Sequence, residues 1–409
     1  MPRDLSRFRM ALSNDASLLL RCAGRFMGFF SSEALSRSLR TEMDWPRFVE
    51  LVRVNSMVGP VLGGLLTADR DNVPESALAE LKGHHRANVR RSLYLTGQLI
   101  GVVRSLDSVG IPAMSFKGPI LSIDAYGDPS MRDSGDLDLL IRRTDMPAAR
   151  NLLVANGFTP IFPTSSATEA DYLLSLSGRR LARYVNSHSE HHLMRPEGRI
   201  NVDLHWDITL RQFAVPLDSR GLWNNARKMR LGEDSISTPG IEDLLLILCI
   251  NAAKDCWQRL DRVCDVAALI SRKTDINFEA LLCAARRAGA YRMVLVTFLL
   301  AREMLNSPLP EQVNREIAAD RTCINLAKRI ILRIFGPDDS IREQPTRLEE
   351  TVMQLRARDQ LHSRMRYLIC QCYPTVGDWS ALPLPDVLRF VHVLLRPLRL
   401  LLQFDGKGR

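Results

Sequence analysis

No run of about 18 uncharged apolar residues occurs in the 409-residue chain, so a membrane-spanning helix is not expected. A secretory signal is not expected either. The chain opens MPRDLSRFRM, the next apolar run is broken by Arg21 and Arg25, and a small-residue cleavage site is missing. Cysteine is sparse, with eight residues and no CxxC pair. Cys249, Cys256 and Cys264 recur at seven and eight residues, the spacing of one helix face, and read as core thiols. Cys370 and Cys372, separated by one residue, are too little for a zinc site. These thiols fit a reducing cytoplasm. There is no internal repeat of fixed period, and His188, His191 and His192 lack the regular spacing of a metal motif.

What is present is ordinary globular composition, 46% hydrophobic and 25% charged, long enough for two or three domains. The net charge of +9 with a pI near 9.3 would suit nucleic acid, anionic lipid or phosphorylated substrates. The positive residues are dispersed, without an RNA-binding signature or helix-turn-helix punctuation. One pocket for an anionic ligand is the economical reading, and no nucleic-acid partner is expected.

Patterning divides the chain into three regions. Residues 1–110 read as an N-terminal helical region, with apolar spacing from Trp45 to Leu66 broken at Gly59-Pro60 and a long helix from Ser76 to Val109. Residues 111–237 read as an α/β core. Ile111 to Phe116 is a buried strand, and Pro119 to Tyr126 is a helix closed by Gly127. Asp136 to Ile141 is a strand by alternation, and Asp145 caps a helix to Asn156 with Gly157 beyond it. Phe158 to Phe162 is a strand confined to a sheet edge by Pro160. The serine-rich stretch 164–187, carrying Arg179, Arg180 and Arg183, reads as a loop or helical insert. A hairpin follows, from His191 to Met194 and Arg199 to Ile208, around Pro196-Glu197-Gly198. Residues 238–409 read as a C-terminal helical region. Its first helix starts at Ile241 and continues towards Arg259, a second runs from about Asp261 to Ser271, and three or four more reach about residue 370.

Chemistry concentrates in two of these strands. In Gly135-Asp136-Leu137-Asp138-Leu139-Leu140, alternation puts Asp136 and Asp138 on one face and Leu137, Leu139 and Ile141 on the other. Two ionised carboxylates so placed repel, and a divalent cation relieves that cost. In Ile200 to Ile208, Asn201, Asp203, His205 and Asp207 share a face opposite Val202, Leu204, Trp206 and Ile208. If the strands are neighbours, Asp203 supplies a third carboxylate. Three carboxylates suffice for two-metal phosphoryl chemistry, with Mg2+ or Mn2+ as the ion and Asp203 a candidate general base. His205 is read as a supporting residue behind the ligands. The turn at Lys117-Gly118-Pro119 brings a close backbone approach and a helix N-terminus that favours anions. Lys117 adds a point charge, and Arg132 a planar contact to phosphate or else a salt bridge.

The segment FKGPILSIDAYGDPSMRDSGDLDLLI, a helix ending NGF and the later VDLHWDI together resemble a bacterial family of largely uncharacterised nucleotidyltransferases in the polymerase-beta-like superfamily. DLLLILCINAAKDCWQRLDRVCDVAALI and the late run PTVGDWSALPLPDVLRFVHVLLRPLRL are similar to its helical parts. The resemblance implies an α+β fold, a mixed β-sheet carrying the carboxylates with helical regions before and after it. It gives Asp136, Asp138 and Asp203 the metal-binding, catalytic roles, and Gly118 the place of the glycine that opens the nucleotide-binding helix; Gly135 is counted with Lys117, Gly118, Ser122 and Arg132 among the expected nucleotide-binding residues. The chain departs from the superfamily at that turn, with Gly118-Pro119 for the usual Gly-Ser or Gly-Gly, so phosphate binding leans on Lys117, Ser122 or Arg132. It also has Asn251 and Asp255 where the family often carries histidines.

The leading expectation is transfer of a nucleoside monophosphate, AMP first, from a nucleoside triphosphate to a hydroxyl or phosphate of a small molecule, peptide or protein. A glycosyltransferase using its DxD on a sugar nucleotide would place an α/β unit before the motif, where this chain is helical. A non-catalytic nucleotide-binding module is the third reading. The apolar segment from Val387 to Phe404, interspersed with Arg389, Arg396 and Arg399, has the pattern of a weak membrane-surface contact interrupted by Pro397.

Overall fold

The computed structural model describes residues 12–68, 72–161, 177–178, 181, 184–185, 188–195, 197, 200–335, 346–373 and 391–396. Five helices come first: α1 (Asn14–Phe26), α2 (Ser32–Leu39), α3 (Trp45–Val54), α4 (Val58–Leu65) and α5 (Glu75–Ser108). Ser13, Ser31 and Asp44 cap the first three, each accepting a backbone N–H with its side chain. The break between α3 and α4 falls at Asn55–Met57 rather than at Gly59-Pro60. Pro60 sits in the first turn of α4, where its missing N–H costs nothing. Ser56 takes the left-handed conformation that turns the corner (φ 54°).

Strand β1 (Ala113–Ser115) leads to α6 (Gly118–Tyr126), closed by Gly127 at φ 82°. Then come β2 (Asp136–Ile141), α7 (Met146–Ala155), β3 (Thr159–Ile161), β4 (Glu190–Arg195) and β5 (Ile200–His205). The core closes with α8 (Ser219–Asn224), β6 (Arg227–Leu231) and β7 (Asp234–Thr238). The sheet is mixed, in the order β3-β4-β5-β2-β1-β7-β6. β2 runs parallel to β5 and antiparallel to β1, and β4 pairs antiparallel with β5. Pro160 lies in β3, an edge strand, where its lack of an N–H is tolerated. The stretch 164–187 falls largely outside the described residues, including Arg179, Arg180 and Arg183.

The C-terminal helices are α9 (Ile241–Lys254), α10 (Leu260–Arg272), α11 (Phe278–Ala288), α12 (Tyr291–Leu305), α13 (Glu311–Ala319), α14 (Arg321–Phe335), α15 (Arg347–Ala357) and α16 (Leu361–Gln371). The helix expected to run on towards Arg259 stops at Lys254. Cys256 and Trp257 both adopt left-handed backbone (φ 49° and 51°), and Trp257 is held there by donating its indole N–H to Thr297 Oγ1 at 2.9 Å. Among the described residues six helices, α11 to α16, follow up to Gln371 instead of three or four.

Helices from both ends of the chain enclose one large apolar core that also receives Met114, Phe116 and Leu140 from one sheet face. The other face, with Leu137, Leu139 and Ile141, packs on the second half of α5 and on α7. The expected alternation of β2 is thus met by a separate apolar layer on each side. In β5 it lapses after His205: Trp206 packs with the second layer and Ile208 with the first. Packing between α1 and α4 is close enough that a Cβ on Gly64 would sit 2.0 Å from the carbonyl oxygen of Cys22. Among the described residues no helix is long and apolar enough to cross a membrane. Of the segment 387–404, only 391–396 is described, a helical stretch with Val393, Leu394 and Leu395 exposed.

Candidate active site

Register decides which side chains meet. Across β4, β5 and β2, one row holds His192, Asp203 and Asp138, the next holds Glu190, His205 and Leu140, and the row before holds Met194, Asn201 and Asp136. Since alternate residues share a face, the polar members of these rows project together from the face that Leu140 joins to the large core. Asp138, Asp203 and His205 converge so that one ligand atom from each lies within 4.8 Å of the others, an arrangement able to hold a metal ion. Asp136 belongs to the adjoining row and lines the cleft beside Asp138.

Two further residues complete this cluster. His192 donates Nδ1–H to Asp203 Oδ1 at 2.7 Å and faces Glu190 Oε1 with Nε2 at 3.4 Å. Glu190 Oε2 lies 3.2 Å from His205 Nδ1, while His205 Nε2 reaches Asp138 Oδ1 at 3.1 Å. The ring of His205 packs edge-on against Phe116, centroids 5.2 Å apart. Glu190 went unremarked in the sequence. Its signal was there: Glu190, His192 and Met194 alternate as Asn201, Asp203 and His205 do.

The electrostatics follow from burial and neighbours. Burial raises the Asp136 carboxyl above its ordinary value, and the charges of Asp138 and Asp203 raise it further. Asp138 resists its own burial: the Lys117 ammonium, 3.0 Å away, and His205 hold it well below the carboxylate range. Burial opposes charge on His192, yet its hydrogen bonds to Asp203 and Glu190 prevail and lift it to about 10. Partial burial likewise opposes charge on Glu190, yet His192, His205 and Lys254 bring it down to about 2.

Asp136 and Asp138 open onto a cleft of about 570 Å3, while Asp203 and His205 stand behind Asp138, outside its lining. Its walls come from the α3–α4 corner (Arg53, Ser56, Val58), α5 (His84, Asn88, Arg91), the segment 132–136 and the start of α10 (Arg259, Arg262). Six cationic side chains, Arg53, Arg91, Lys117, Arg132, Arg259 and Arg262, face three carboxylates, Asp133, Asp136 and Asp138. Most are held in place. Arg91 donates to the carbonyls of Ser134 and Gly135, both at 2.9 Å, and Asn88 to those of Ser130 and Arg132. Asn55 Oδ1 accepts the backbone N–H of Leu260, docking the corner onto α10. Arg53, Arg91 and the neighbours Arg259 and Arg262 come from three distant parts of the sequence, without a motif to single them out.

Several residues noted in the sequence have structural partners. Arg132 is buried, with Nε 2.8 Å from both carboxylate oxygens of Asp265, which also accepts from Tyr126. Ser122 is fully buried: it donates to the carbonyl of Asp128 at 2.7 Å and accepts the N–H of Arg132 at 3.1 Å, away from the cleft lining. Gly118 opens α6 at φ 61°, and a Cβ there would lie 3.3 Å from the carbonyl oxygen of Asp136. Asp207 sits beyond the strand, near Arg143 at 3.9 Å.

A family model described as an uncharacterised nucleotidyltransferase matches residues 41–306. The chain belongs to that family. The match runs from just before α3 to the residue after α12, and so contains the whole sheet and every residue named in the cleft. The late run 374–400, read in the sequence as part of the resemblance, lies beyond it. No curated protein matches the chain. Nucleotidyltransferases act on a nucleoside triphosphate and commonly use a divalent ion, and the buried Asp138 and His205 with the half-buried Asp203 fit one by their donor chemistry. The resemblance to glycosyltransferase DxD sites is set aside by the family match.

Proposed function

We propose that this nucleotidyltransferase moves a nucleoside monophosphate, AMP first among the candidates, from a nucleoside triphosphate to a hydroxyl or phosphate acceptor and releases pyrophosphate. The observation that carries the reading is the register of β2 with β5. Asp138, which lines a cleft rich in cationic side chains, faces Asp203 directly across the two strands. A divalent ion, Mg2+ or Mn2+, would be held by Asp138 and Asp203 with Asp136 beside them, and when bound it supplies charge neutralisation of the triphosphate and activation of the attacking oxygen.

The chain's own residues supply the rest. The open N-terminus of α6 at Gly118 presents backbone N–H groups towards an anion, with Lys117 at the same turn. Pro119 contributes neither N–H nor hydroxyl, and Ser122 is occupied, so the polyphosphate charge is met by Lys117, Arg91 and the arginines of the far wall. Arg132, tied to Asp265, holds the loop that leads into β2 rather than reaching out. Asp203, held by His192, orients or deprotonates the acceptor.

The test is release of pyrophosphate from each of the four common ribonucleoside triphosphates with Mg2+ or Mn2+, in the presence of candidate acceptors. Metal-dependent release that Asp138→Asn abolishes supports the proposal. Folded protein that binds neither triphosphate nor metal refutes it. Tight triphosphate binding without turnover across a broad acceptor panel favours the non-catalytic module instead.

A further inference from the structure

We infer that His205 is a nitrogen ligand of the divalent ion, with Glu190 and His192 as the residues that position the ligand set. This rests on the reading that the carboxylates hold an ion, and concerns which atoms touch it.

Three observations carry it. First, the side chains whose ligand atoms converge are Asp138, Asp203 and His205, whereas Asp136 stands one row away opposite Asn201. Second, His205 has the surroundings of a metal-bound imidazole. Nε2 points into the cluster at Asp138, and Nδ1, buried without a hydrogen-bond partner, has the Glu190 carboxylate 3.2 Å away, near enough to accept its N–H after a small rotation of either side chain. A ligating histidine commonly gives its other N–H to a carboxylate, which fixes the tautomer and the ring and leaves the free lone pair on the metal side. Here the edge-on contact with Phe116 fixes the ring further. Third, His192 holds one oxygen of Asp203, Oδ1 at 2.7 Å, and leaves the other for the ion.

The donor set has consequences for the ion. Mg2+ binds oxygen in near-ideal octahedral geometry and keeps several waters, while imidazole suits first-row transition ions. A mixed set of two carboxylates and one imidazole therefore favours Mn2+ over Mg2+, where three carboxylates alone would serve either.

The experiment uses full-length protein and Mn2+ alone, without nucleotide. Electron spin-echo envelope modulation of the bound ion reports a directly coordinated imidazole nitrogen. The expected result is a nitrogen coupling in the unmodified protein that is lost in His205→Asn, with Mn2+ affinity falling about ten-fold or more, and a comparable loss of affinity in Glu190→Gln. In His205→Asp, which restores an all-oxygen set, the preference for Mn2+ over Mg2+ should narrow. Bound Mn2+ without a nitrogen coupling in the unmodified protein overturns the inference and leaves the proposed reaction standing, and this spectrum decides even if a variant fails to fold. A coupling that survives in folded His205→Asn also overturns it. Absence of Mn2+ binding, with and without ATP, overturns both.

Discussion

Asp136 carries a cost that its neighbours explain: a buried carboxylate beside two others is destabilised when ionised. Asp136→Asn should therefore stabilise the metal-free protein, by roughly 0.5–2 kcal/mol, while suppressing turnover. Denaturant titration without metal checks the first part and pyrophosphate release the second. Asp138→Asn, which removes the carboxylate at the centre of the row, should lower the rate by at least about 10²–10³-fold. The buried histidines of the β4 region give a pH prediction. Burial depresses His188 to about 4 and His191 to about 3. Their unfolded-state values lie near 6.5, so the stability they contribute is complete above about pH 6.5. It is lost as pH falls towards the folded values, at roughly 1.4 kcal/mol per unit for each group. His191→Gln should lose less stability between pH 7.5 and 4.5 than the unmodified protein. Equal losses in denaturant titrations at the two pH values would refute this.

Among the elements, α6 and its entry turn show what pattern can and cannot reveal. Gly118 sits in left-handed backbone against the Asp136 carbonyl. Gly118→Ala should cost on the order of 1–2 kcal/mol and displace the start of β2. A stability equal to that of the unmodified protein, read by denaturant titration, would contradict this. That glycine, the Asp136–Ile141 strand and the Gly127 stop were legible because each obeys a local rule: a turn needing positive φ, alternation, and a helix end. The break at Cys256 and Trp257 was not legible, because the residues there are neither glycine nor proline and long-range packing on Thr297 holds the backbone. For the same reason Ser122 looked like a phosphate ligand in sequence, and Arg132 stayed open between phosphate and a salt bridge. Their partners, Asp128 and Asp265, become visible only when the chain folds back. The arginines of the cleft were hidden by distance along the chain, and Glu190 because the first strand of the expected hairpin was begun at His191, one residue after it.

For the molecule as a whole, the three regions drawn from the pattern do not possess three separate interiors. α1 and α4 share an apolar core with α9, α10 and α12, and the active-site face of the sheet closes it. Unfolding of the helices that share this core should therefore be cooperative. Calorimetry should give one main transition, and an early, separate melting of the first hundred residues would contradict the shared core.

The contact between Gly64 and Cys22 fixes how closely α1 and α4 approach, because bare backbone meets bare backbone with no side chain to yield. The same corner that α4 forms with α3 carries Arg53, Ser56 and Val58 at the rim of the cleft. A methyl group at residue 64 would act as a wedge, tilting that rim away from the phosphates. A substitution remote from every carboxylate would then surface in kinetics as weakened triphosphate capture, so the aperture of this enzyme is calibrated in its interior.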